Sequence, residues 1–107
     1  MYKGIIVEQS LEDISILKSV QILDVENSTD SDWVLYRVNV NEDEIKKLAG
    51  YLKEEWYMHF WKNREVIVVF RNKIFHLNYD DKSTWKDALN YGISHGIAEE
   101  QLDFPIE

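Results

Sequence analysis

The apolar positions of this chain fall into short alternating runs, interrupted twice by helical spacing. Residues 4–9, GIIVEQ, are β-branched and begin at a glycine, which predicts a strand. Ser10 opens SLEDISILK, where a serine cap with Asp13 three residues on predicts a short helical turn. Residues 20–26 set Val20, Ile22, Asp24 and Glu26 against Gln21, Leu23 and Val25, a strand with one wet face and its second set turned to a core at least at its end. NSTDSD is turn chemistry, and residues 33–40 alternate again with Val34, Tyr36, Val38 and Val40 on one side. The two runs predict a hairpin closed by a mobile acidic loop.

Asn41 with Glu44 reads as a capping box, and Ile45, Leu48, Ala49 and Leu52 follow at helical spacing, so a helix is predicted over 42–53. Three further runs, WYMHFWK, EVIVVFR and KIFHLNY, are separated by Asn63-Arg64 and by Asn72, residues suited to tight hairpin turns. They predict a three-strand antiparallel meander. A last helix is expected from a Ser83 or Thr84 cap, with Trp85, Ala88, Leu89, Gly92 and Ile93 as its stripe and Gly96 as its stop; the turn AEEQL and an extended tail DFPIE follow. The element order predicts an α+β fold: a mainly antiparallel sheet of about six strands with two main helices. Its ferredoxin-like start (βαββαβ) would be extended by the meander and the C-terminal helix. With 107 residues, one domain is expected.

In a strand, Trp56, Met58 and Phe60 point one way and Tyr57, His59 and Trp61 the other, and the neighbouring Val66, Val68 and Phe70 oppose Ile67 and Val69. Both sheet faces therefore need cover. The first is assigned to helices. For the second the candidates are the Trp85 helix, the tail with Leu102 and Phe104, a second copy of the chain, or a ligand.

Composition narrows the chemistry. With no cysteine there is no thiolate nucleophile, disulfide or cysteine-ligated metal. The net charge of −8, with twelve cationic residues that form no block, argues against nucleic acid. No apolar stretch approaches the roughly 18 residues of a membrane span, and the N-terminus lacks a signal-like apolar region, so a cytoplasmic protein is expected; Asn27-Ser28-Thr29 then reads as a turn rather than a glycosylation site.

The histidines His59, His76 and His95 match no metal-ligand spacing. His59 and His76, on two strands of the meander, could approach each other with Asp80 nearby, while His95 suits a helix C-terminus. Asp80-Asp81 and Asp30-Ser31-Asp32 lack the ligand series and glycine of a calcium loop, and no serine elbow or phosphate loop is present. Neither a catalytic residue, a metal site nor a cofactor is assigned.

The phrases WYMHFW, YDDKSTW and YGISHGIAEEQLDFP resemble those of a family of small stand-alone bacterial and archaeal proteins that carry no assigned function. The resemblance covers most of the chain; it implies an independent cytosolic domain and transfers no catalytic residue. Surplus aromatic surface without catalytic machinery points to a non-catalytic module that binds a protein partner or forms a homodimer. The alternative is a small-molecule binder or small enzyme with an aromatic pocket around Trp56, Tyr57, His59, Trp61 and Trp85.

Overall fold

Alternation along the strands becomes two differently covered sheet faces. The computed structural model describes residues 1–29 and 32–106. Strands β1 (Tyr2–Val7), β2 (Gln21–Asn27), β3 (Val34–Val40), β4 (Met58–Lys62), β5 (Glu65–Phe70) and β6 (Lys73–Asn78) form one sheet in the order β2-β3-β1-β4-β5-β6. Every neighbouring pair is antiparallel. With helices α1 (Glu42–Ala49) and α2 (Lys86–Ser94), the architecture is α+β.

The front face of the sheet carries Ile6, Val38, Val40, Met58, Phe60, Ile67 and Val69, packed with Ile45, Leu48 and Ala49 of α1 and with Ile16 and Leu17. The back face carries Val66, Val68, Phe70 and Leu77, packed with Trp85, Ala88, Ile97, Leu102 and Phe104. The Trp85 helix and the tail therefore share the cover of β4–β6. Each strand of the meander divides its side chains as its period requires, and Asn63 and Asn72 take the left-handed backbone of its two turns at φ 55° and 56°. Gly4 is where β1 meets β4 most closely: a Cβ there would lie 2.3 Å from the Phe60 ring and 2.9 Å from the His59 carbonyl oxygen. Only glycine fits.

Several expectations are corrected. The crossover from β1 to β2 is two 3-10 turns, at Glu8–Ser10 and Ile14–Ser19, rather than a helix begun by Ser10. The Ser10 hydroxyl is buried and donates to the Val7 carbonyl at 2.6 Å, while Asp13 caps the second turn by accepting from the Ser15 N–H at 2.9 Å. Helix α1 has the expected capping box but ends at Ala49, because Gly50 takes the C-cap and Leu52 leaves the helix to bridge Leu11. Strand β2 is exposed along its whole length, including Leu23 and Val25, since the front-face elements do not reach that edge and the register shifts between Ile22 and Asp24. The hairpin to β3 is joined by Ser28 N–H to the Trp33 carbonyl at 2.9 Å. The loop expected to be mobile, with Asp30 and Ser31, lies outside the described residues.

The last helical segment begins with a 3-10 turn, Lys82–Trp85, capped by Asp81 through the Ser83 N–H at 3.1 Å, so Asp81 does the work expected of Ser83 or Thr84. Its stripe omits Ile93, which is 46% exposed; Tyr91 packs on Phe70 instead, at 5.0 Å between ring centroids. Gly96, at φ 89°, follows the helix as the left-handed stop.

Candidate functional site

Strand pairing decides where the aromatic run opens. β1 and β4 are in register only over Lys3–Ile5 and His59–Trp61. Beyond that the chains splay, and β4 begins at Met58, leaving Trp56 and Tyr57 ahead of the strand rather than in it. The turn before them is forced by Glu55, whose φ of 66° is uncommon for a side chain of that size. The splay forms a cleft of about 410 Å³ lined by Val7, Trp33, Glu55, Trp56, Tyr57 and Ile97, among others, within the volume range of small-molecule sites. Its walls are mainly apolar. Trp33 and Trp56 meet at one corner with ring centroids 5.2 Å apart and planes tilted by 57°.

Of the five residues expected at a ligand site, Trp56, Tyr57 and His59 come together on this cleft. Trp61 and Trp85 do not share that role, because packing claims them: each is 4% exposed. Trp85 lies against Phe104 at 5.1 Å and donates its indole N–H to the Asn78 carbonyl at 2.9 Å. Trp61 lies beside His59 at 5.4 Å, and its buried indole N–H has no acceptor among the described residues. Trp33, Glu55 and Ile97 were not singled out by sequence. Trp33 follows a polar turn with no periodic partner, and Ile97 reaches the cleft only because α2 folds back over the sheet, so neither had a local signal.

The tail fixes one wall. The Tyr57 hydroxyl donates to the Gln101 carbonyl, and burial raises the Tyr57 pKa. His59 Nε2 is 2.9 Å from the Pro105 carbonyl, an acceptor only, so Nε2 carries the proton. Burial lowers the His59 pKa from its ordinary value, with partial offset from the Pro105 hydrogen bond and the Asp103 charge. The linkage has a definite sign. The unfolded chain binds the proton more readily, so stability is full above about pH 6.5 and declines as pH falls toward the lower folded value. Denaturant midpoints measured from about pH 7.5 to 5 are expected to fall on acidification, and His59→Phe is expected to flatten that slope. A slope unchanged in His59→Phe would assign the effect to other groups.

The expected approach of His59 and His76 is corrected by register. His59 pairs with Val68 on the back face and His76 with Ile67 on the front, with β5 between them. Asp80 is engaged elsewhere, accepting from Arg64 Nε at 2.9 Å. No group of three or more His, Asp or Glu among the described residues is placed to hold a metal ion. His95 closes α2: its Nδ1 is 2.8 Å from the Tyr91 carbonyl and its ring stacks on Tyr91 at 4.0 Å. The Ser94 hydroxyl beside it is 2.8 Å from the same carbonyl, so this Ser–His neighbour pair caps a helix rather than forming a nucleophile and base.

The remaining back face differs from the covered part. Ile5, Val7 and Leu35 are half-buried and belong to neither core, and Arg37, Asp24 and Glu26 stand on the same face beside them. No helix among the described residues is long and apolar enough to cross a membrane. Comparison of this chain with protein families, curated proteins and solved structures finds no match.

Proposed function

We propose that this protein is a cytoplasmic, non-catalytic binding module that associates through the open half of its back face, with a second copy of itself as the simplest partner. The observation that carries this reading is the asymmetry of cover: α2 and the tail stop at β4, while Ile5, Val7 and Leu35 remain half-buried outside either core, next to a fully exposed edge strand β2. Asp24, Glu26 and Arg37 lie together on that face and would form the polar rim of an isologous contact. The strand order β2-β3-β1-β4 is that of a split βαβ plan, which supports a ferredoxin-like start whose first crossover is reduced to 3-10 turns. The resemblance to small stand-alone bacterial and archaeal proteins fits a module of this kind.

Because each copy carries a net charge of −8, association should strengthen as salt screens the repulsion. Sedimentation equilibrium is expected to show a dimer whose population rises with concentration and with salt, and Leu35→Arg is expected to return it to monomer. A chain that stays monomeric at high concentration and high salt would refute self-association.

A second reading is supported by the aromatic cleft itself: small-molecule binding at Trp33, Trp56 and Tyr57, with His59 as the neutral polar group behind them. The two readings use adjoining surfaces, since Ile5 and Val7 border both.

A further inference from the structure

We infer that the cleft beside Trp33 and Trp56 binds a small organic cation, a quaternary ammonium in type; this rests on the small-molecule reading above. Three features of the cleft favour a positive, weakly hydrated group over a neutral or anionic one.

The first is the aromatic corner. Trp33 and Trp56 present two indole rings tilted by 57°, Trp33 is 44% exposed and Trp56 is half-buried, so both retain accessible ring surface. The negative face of an indole attracts a cation held within about 6 Å of its centroid, and tryptophan does so best of the aromatic residues.

The second is the charge of the lining. Glu55 is its one ionised side chain, and no lysine or arginine belongs to the wall. Glu55 is exposed, lines the cleft and makes no ion pair among the described residues. An anion would meet that carboxylate and two ring faces, all repulsive.

The third is the end of α2. The Glu55 carboxylate lies over Gly96, its Oε1 3.3 Å from where a Cβ would stand, and so beside the negative end of the α2 dipole, where the Tyr91, Gly92 and Ile93 carbonyls already accept from the His95, Ile97 and Gly96 N–H groups. Two negative features thus adjoin the same rim. A compact ammonium would also sit there, but the apolar walls of Val7 and Ile97 favour a methylated head over one that must keep its water.

The four tryptophans make the test site-specific. Choline is titrated into the protein while the indole N–H signals are followed by two-dimensional NMR, with its uncharged tert-butyl analogue as the matched control. Choline is expected to move the Trp33 and Trp56 signals and to leave buried Trp61 and Trp85 in place. Trp33→Leu should weaken it by about tenfold and Glu55→Gln by a few-fold, both at exposed positions where the fold is retained. Equal binding of the tert-butyl analogue would overturn the cation inference and leave the small-molecule reading standing. Silence from both probes would overturn the two together. Shifts confined to Trp61 or Trp85 would place binding elsewhere and also overturn the inference.

Discussion

Trp85→Ala is expected to cost about 3–5 kcal/mol, the range for deleting a large aromatic side chain from a packed core. The residue is 4% exposed and sits between Tyr79 and Phe104, with ring centroids at 6.0 and 5.1 Å. Its indole N–H holds the Asn78 carbonyl at the end of β6, and Lys82 Nζ stands 3.3 Å from the ring centroid on its outer side. Truncation therefore leaves a cavity, an acceptor with one fewer donor and a cation with no ring beneath it. Against a total of about 5–15 kcal/mol, that loss removes a large share of stability. Equilibrium denaturation measures it directly. Trp85→Phe should recover most of the packing and isolate the hydrogen bond at about 1 kcal/mol. A near-neutral Trp85→Ala would mean that α2 does not seal the back face, and would return Trp85 to the list of pocket residues.

What the sequence made legible follows from how local each signal is. The capping box at Asn41 and Glu44, the left-handed Asn63 and Asn72, and the two-sided apolar run of β5 are decided by neighbours within a few residues, and the structure has them as read. The end of α1 was less legible because Leu52 keeps helical spacing with Leu48 and Ala49 while serving another purpose, the bridge to Leu11, which only the tertiary fold provides. Strand β2 misled for the converse reason. Its apolar residues alternate as if toward a core, yet the strand is the edge beyond the reach of α1. The cleft depends on how few residues β1 and β4 pair, a property of two strands far apart in the chain, and no short stretch of sequence encodes it. The run WYMHFW is accordingly divided: Phe60 and Trp61 are core, Met58 opens the strand, and Trp56, Tyr57 and His59 border the cleft.

Phe104→Ala joins the stability of the back face to the chemistry of the cleft. Phe104 is fully buried, with centroids 5.1 Å from Trp85, 5.7 Å from Tyr57 and 5.9 Å from His59, and it anchors a tail also held by buried Leu102, the Tyr57 hydroxyl and His59 Nε2. Its loss is expected to cost about 3–5 kcal/mol if the tail stays docked, and less if the tail detaches and leaves the sheet behind it intact. His59 distinguishes the two. A docked tail keeps the imidazole desolvated and its pKa low; a detached tail admits water, and the pKa climbs back toward the ordinary value near 6.5. In that case the folded and unfolded chains bind the proton alike, and the loss of stability on acidification disappears along with the tail contacts. Following the His59 ring protons by NMR across about pH 5–8 in the wild type and in Phe104→Ala reads this out directly. The expected result is an upward shift of the His59 midpoint in the variant, together with a smaller combined loss in Phe104→Ala/Trp85→Ala than the sum of the single losses, because the two rings share a contact. An unmoved His59 midpoint with fully additive losses would mean that the tail neither shields the histidine nor couples to α2, and that the wall of the cleft is built by β4 alone.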